Sequence, residues 1–137
     1  MHGCDQRAAG ALPVDVVRFA LPLPVGLRRW RDCVPAIPVE LLRYHEAGGH
    51  LVCKLDIEPW HCEFWSLEDI EALNVAYAVE EFAPGYLGFA SNGAGEMFAW
   101  SPVGSIVCLA FVGMSPSEEL PIAPSWAQFE ELLRRSS

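Results

Sequence analysis

The first residues that suggest chemistry lie in a glycine-rich run from Gly85 to Trp100, GYLGFASNGAGEMFAW. A Walker-type phosphate loop needs a lysine and a hydroxyl after its spacer, to bring an ammonium and a metal-bound oxygen to the phosphates. Gly88 and Gly93 have the spacing, but Ala94 and Gly95 stand where those groups belong. A dinucleotide fingerprint starting at Gly93-Ala94-Gly95 requires a third glycine at position 98, which is Phe98. It must also open a helix, whereas strand-forming residues follow. Both phosphate readings fail. Asn92-Gly93 between two apolar runs is a hairpin signal instead, because both residue types tolerate positive φ.

Metal-ligating residue types crowd between His45 and Cys62, with Glu46, His50, Cys53 and His61 among them. Zinc sites pair their ligands on a short knuckle. His50 and Cys53 could do so only where the chain turns; on a strand they point to opposite faces. No metal is expected here. The five cysteines (Cys4, Cys33, Cys53, Cys62 and Cys108) are odd in number and form no CxxC pair, so free thiols are expected. Cys53 and Cys108 alternate with apolar neighbours and read as inert buried thiols, while Cys62 reads as the exposed one. No residue can be named to activate it. The pairs Glu80-Glu81 and Glu118-Glu119 specify no separation of the kind acid–base work demands. The chain is expected to have no catalytic residue, no cofactor and no enzymatic activity.

One cluster suits recognition better than catalysis. The stretch IEPWHCEFWS places Trp60, His61, Phe64 and Trp65 between a strand and a helix. Trp65 stands where a hydrophobic staple packs against the helix it precedes. Trp60, His61 and Glu63 have no such assignment. An aromatic anchor beside acids is the composition of a protein-binding patch, so these three, with Glu118 and Glu119, are the candidate partner-binding residues.

The elements that must position them follow from periodicity. Residues 1–11 read as a loose tail, and residues 12–137 as a single domain. Prolines at 13, 22, 24 and 35 leave room only for short helices, of which 27–33 is the best. Pro38 opens a helix that ends at Gly48-Gly49. Leu51, Cys53, Leu55 and Ile57 then alternate with polar residues as a half-buried strand. Ser66 caps a helix running to about Glu81, with Leu67, Ile70, Leu73 and Tyr77 as its apolar stripe. Strands are expected at 86–91, 96–100 and 105–111, then a Ser/Pro/Glu loop. Ser125 and Gln128 form a capping box for a last helix that buries Trp126, Phe129, Leu132 and Leu133. Short links make the last strands antiparallel, so the class is α+β, a single antiparallel sheet flanked by helices.

At 137 residues and 52% hydrophobic content the chain can bury a core, and no apolar run is long enough to cross a membrane. Met1-His2-Gly3-Cys4 lacks the basic and apolar regions of an export signal, so a cytoplasmic location is expected. The net charge of −9 is unevenly spread: residues 55–133 hold thirteen acidic side chains and no Lys or Arg. That excludes the cationic footprint of a nucleic-acid binder. It suits solubility first, and a basic protein partner as the sharper alternative.

Several motifs then fall in a recognisable order. Ile37-Pro38 leads a helix to Gly48-Gly49, and FWSLEDIEALN carries Trp65 and Asn74. Pro84-Gly85 leads an aromatic strand into the Ser91–Glu96 hairpin, which includes Gly93. SIVCLAFVG follows, then IAPSWAQFEELL with Ser125. In this order and spacing, residues 35–133 resemble the SUKH superfamily, the Smi/Knr-like domain of a fungal cell-wall regulator and of many bacterial toxin-immunity proteins. The proline-rich segment 12–37 departs from the single amphipathic first helix usual there.

The resemblance implies one antiparallel sheet with flanking helices and no catalysis. It also implies an immunity function, in which a cognate polymorphic toxin such as a nuclease is bound and neutralised. A regulatory or scaffolding domain that binds a host signalling protein is the alternative, and a small-molecule- or metal-binding protein is the alternative of another class. Trp65, Asn74, Gly93, Glu96 and Ser125 are expected to build the fold, Glu96 by accepting hydrogen bonds from the backbone of its turn. Oligomeric state and partner identity are not legible in the sequence.

Overall fold

The computed structural model describes residues 34–136. The expected tail and the helix over 27–33 lie outside them. In chain order the elements are α1 (Val39–Glu46), β1 (Val52–Lys54), β2 (His61–Phe64), α2 (Leu67–Ala76) and α3 (Val79–Phe82). Then come β3 (Leu87–Ser91), β4 (Glu96–Trp100), β5 (Ile106–Ala110), a 3₁₀ turn (Pro116–Glu118), β6 (Leu120–Ala123) and α4 (Trp126–Ser136). The strands form one six-stranded sheet in sequence order, each antiparallel to the next. The fold is α+β, as the sequence predicts. Among the described residues no helix is long and apolar enough to cross a membrane.

Four local expectations need correction. The strand expected over 50–57 shrinks to Val52–Lys54, because the Leu55 N–H turns to the Trp60 carbonyl at 3.0 Å. The stretch placed between a strand and a helix itself contains β2, whose only two core residues, Cys62 and Phe64, are too few to show alternation. The loop expected before the last helix contains β6. Its Pro121 argues against a strand, yet is tolerated because β6 is the edge of the sheet among the described residues. The helix expected from Ser66 to Glu81 breaks at Ala78, whose φ of 56° is left-handed. That break redirects Val79 and Ala83 onto a second face of the sheet.

The three middle strands are buried on both faces, which is why they read as apolar runs rather than alternating ones. On one face Phe89, Phe98, Ile106 and Cys108 pack with Leu41 of α1 and with Trp126, Phe129 and Leu132 of α4. On the other, Met97, Ala99, Val107 and Leu109 pack with Val79, Ala83 and Met114. Trp65, Tyr77 and Phe111 close that second core as a stack, with Tyr77 and Phe111 centred 4.3 Å apart. The caps act as expected. Ser66 Oγ accepts the Asp69 N–H, and Ser125 Oγ accepts the Gln128 N–H while its hydroxyl donates to Gln128 Oε1.

Helix α2 is tied to the sheet by one side chain. Strand β2 pairs with β3 only at Ala90 and Ser91, after which the Trp65 N–H reaches the Phe89 carbonyl at 2.9 Å. Beyond that point α2 occupies the edge of β3. Asn74, 2% exposed, accepts the Gly88 N–H on Oδ1 at 2.8 Å and donates Nδ2 to the Gly88 carbonyl at 2.8 Å. Nδ2 also donates to the Ile70 carbonyl at 2.7 Å. The amide does for Gly88 what the peptide of a neighbouring strand would do. Gly88 suits this close approach, since a Cβ there would meet Met97 Sδ at 2.6 Å and the Trp65 ring at 3.2 Å.

Asn74→Ala leaves both polar groups of a buried residue unpaired, at about 1–3 kcal/mol each. Chemical denaturation of this variant is expected to show a loss of roughly 3 kcal/mol, while Glu68→Ala on the exposed side of α2 costs under about 0.5 kcal/mol. Equal losses in the two variants would contradict the role given to Asn74.

Candidate functional site

Among the described residues the covering of the sheet is incomplete. The second face of β1 and β2 carries Val52, Lys54, His61 and Glu63, paired as Val52 with Glu63 and Lys54 with His61. No helix residue of the second core packs there. Val52 is 67% exposed and Lys54 is exposed. His61 Nε2 and Glu63 Oε2 lie 2.8 Å apart. The β3–β4 hairpin tip approaches the same pair: a Cβ on Gly93 would stand 3.8 Å from the His61 ring and 3.9 Å from Glu63 Oε2.

Trp60 borders this face and is 60% exposed. Its N–H donates to the Ile57 carbonyl at 2.8 Å, and its own carbonyl accepts from Leu55. The turn holds it at φ 73°, a left-handed conformation that is unfavourable for a bulky side chain. An outward-facing tryptophan gains little burial to offset that strain. The turn is braced from the far side by α4, where Arg135 pairs with Asp56 at 3.2 Å and Ser136 Oγ accepts the Asp56 N–H at 3.0 Å. The Arg135 guanidinium lowers the Asp56 carboxyl below its usual range.

Trp60, His61 and Glu63 therefore lie together, but Glu118 and Glu119 do not join them. Those two sit beside β6, with three strands between β2 and that edge. Glu119 accepts a hydrogen bond from the Tyr86 hydroxyl at 2.7 Å; burial and then this carboxylate push the Tyr86 phenol up to about 12. Glu118 is exposed. Glu96 also departs from expectation. The turn's N–H groups go to Asn92, whose Oδ1 accepts from Ala94 and Glu96 at 2.8 and 3.0 Å, while the Glu96 carboxylate accepts from Asn92 Nδ2. Asn is the better acceptor here because its short side chain folds back over its own turn.

The thiols correct another expectation. Cys62 is fully buried at 0% exposure, because its position on β2 points it into the first core beside Cys53. Burial raises it well above the usual thiol range, and burial also raises Cys53 and Cys108. Among the described residues no three His, Cys, Asp or Glu side chains are grouped to hold a metal.

Sequence reasoning missed a cleft between α1 and α4. Tyr44 stacks on Phe64 with centroids 4.8 Å apart, and its other neighbour is the backbone of Gly49, where a Cβ would meet the ring at 2.5 Å. Its hydroxyl donates to the His50 carbonyl at 2.5 Å, and the Cys53 thiol donates to the same oxygen at 3.3 Å. The only trace of this in the sequence is the second glycine of Gly48-Gly49, which a left-handed cap alone does not require. The chain matches no protein-family model and no curated protein in sequence comparison.

A thiol reagent applied to the native protein at pH 8 is expected to leave Cys53, Cys62 and Cys108 unlabelled, and denaturant to expose all three. Peptide mapping by mass spectrometry reads the outcome. Rapid native labelling of Cys62 would show it to be exposed after all.

Proposed function

We propose that the chain is a SUKH-like, non-catalytic binding module that neutralises a basic protein toxin by covering its working surface. The observation that carries this reading is the exposed Trp60, held in an unfavourable backbone conformation on a strongly acidic protein. Residues 34–136 hold fifteen acidic side chains against four basic ones. An aromatic anchor supplies desolvation energy at the centre of an interface, and the surrounding charge selects and attracts a cationic partner. A toxin that acts on nucleic acid needs a cationic surface for its substrate. An acidic protein of this size can occupy that surface in place of the substrate.

The family-motif residues support the same division of labour. Asn74 pairs with β3, Asn92 and Glu96 brace the hairpin, Ser125 caps α4 and Trp65 closes the second core. With those positions occupied in the fold, Trp60, His61, Glu63, Val52 and Lys54 remain free to differ with the partner.

The test uses a basic toxin encoded beside this gene, with association followed at several salt concentrations. The on-rate is expected to fall roughly tenfold or more as ionic strength rises from dilute buffer through the physiological range. Trp60→Ala is expected to weaken binding by about 2 kcal/mol, roughly 30-fold in Kd, without loss of thermal stability. A salt-independent on-rate would overturn the electrostatic part, and unchanged affinity in Trp60→Ala would overturn the anchor.

A further inference from the structure

The outer edge of β1 is open, and the direction of its peptide groups follows from the pairing with β2. The Phe64 N–H reaches the Leu51 carbonyl at 2.7 Å, Cys53 faces Cys62, and the Leu55 N–H reaches the Trp60 carbonyl at 3.0 Å. Backbone groups alternate in direction along a strand, so Leu51, Cys53 and Leu55 turn theirs to β2, while Val52 and Lys54 turn theirs outward. No described residue pairs with that outer side, because β1 ends the sheet order. Cys53 points into the first core, so the side chains of Val52 and Lys54 lie on the opposite, second face. Val52 is 67% exposed there.

Such an edge suits a strand with apolar residues on one parity and no need of donors on the other. The chain holds one ahead of the described residues. From residue 17 to 25 every second position is a large apolar residue (Val17, Phe19, Leu21, Leu23 and Val25). Arg18, Ala20, Pro22 and Pro24 alternate with them, so both prolines fall on the same parity. Proline has no N–H to donate. With that parity turned to solvent, the other keeps all its donors for β1. A polyproline helix repeats every three residues and would scatter the apolar row around its axis. In an antiparallel pair, residues whose backbone groups face each other also share a face of the sheet. The apolar row therefore falls beside Val52, on the face that the second core leaves uncovered among the described residues.

Direction and charge agree with this pairing. Antiparallel to β1, the segment runs toward Leu51, which lies opposite Phe64 near the entry to α2. Val34, where the described residues begin, lines a basin with Leu67 and Ile70 of α2. Residues 26–33 can span roughly 30 Å, ample for that link. Residues 1–33 hold five arginines and three aspartates, against fifteen acidic and four basic side chains in 34–136. The segment is thus drawn electrostatically to the rest of its own chain.

We infer that residues 17–25 pair antiparallel with the open edge of β1 as a further strand, and that Phe19, Leu21 and Leu23 widen the Trp60 face into the surface that meets the partner. Only the use of the widened face rests on the function proposed above; the pairing does not.

Amide hydrogen exchange of the full chain, read by NMR at Val52 and Lys54, tests the pairing. Both amides are expected to be protected. Leu21→Pro, on the parity that must donate, should speed their exchange about tenfold or more. Ala20→Pro, on the parity that already holds two prolines, should leave it unchanged. Phe98 and Leu109 in the sheet centre should stay protected in both variants, which shows that the fold is intact. Free exchange at Val52 and Lys54 in the parent, or responses that do not differ between the two variants, would overturn the pairing. Protection that is lost on dilution would also overturn it, by assigning the edge to a second copy of the chain. Affinity for the basic protein partner, measured on the same variants, is expected to fall about tenfold in Leu21→Pro alone. If the amides respond and the affinity does not, the pairing stands and only the partner's use of the widened face is overturned.

Discussion

The amide of Asn74, set against the backbone of Gly88, is the interaction on which the rest of the structure depends. Strand β3 needs a partner along its whole edge, but β2 reaches only Ala90 and Ser91. A buried strand edge without partners is costly, because each unpaired backbone group forfeits its hydration. Asn74 supplies both missing bonds from a helix. The pairing fixes the height and rotation of α2, and with them the entry at Trp65 and the exit at Ala78. Gly88 also adjoins the register shift of β3, where Phe89 is the extra residue and turns into the first core. One side chain thus coordinates both faces of the sheet.

A protein of this size that buries its middle strands on both faces could have covered β1 and β2 as well. Among the described residues the second core leaves one face of them uncovered, with Trp60 at its margin. The strain at Trp60 and the exposure of Val52 are both adverse for the isolated chain. On the function proposed, such residues are accounted for by what they touch in a complex. Acidity acts with them. The excess of carboxylates disfavours compactness by self-repulsion, yet it speeds the encounter with a cationic surface.

Much of the fold was legible from residues 34–136 because its signals are local. Helix caps at Ser66 and Ser125, the Gly48 stop and three apolar strands over 87–110 each announce themselves within a few residues. The errors came where tertiary contacts override local pattern. Strands β2 and β6 are four residues long and owe their form to β3 and β5, not to alternation. Ala78 carries no sign of a left-handed break. Cys62 looked polar by its neighbours His61 and Glu63, which in a strand are the very residues that point it inward. Of the candidate site, Trp60, His61 and Glu63 were legible as an unassigned aromatic–acidic group. Glu118 and Glu119 were joined to them only by composition, and sheet order separates them. The cleft could not be foreseen, since its walls come from α1, the Gly49 turn and α4, with Glu40 and Glu130 ninety residues apart.

The claim that Asn74 completes the edge of β3 is tested most directly by native-state hydrogen exchange at the Gly88 amide. If the Asn74 carbonyl holds this N–H as a strand partner would, its exchange requires global unfolding. The amide should then rank with those of Phe98 and Leu109 in the sheet centre and follow global stability as denaturant is added. Exchange of Gly88 far faster than theirs, and insensitive to denaturant, would mean that α2 leaves the sheet locally and that the pairing does not hold the fold together.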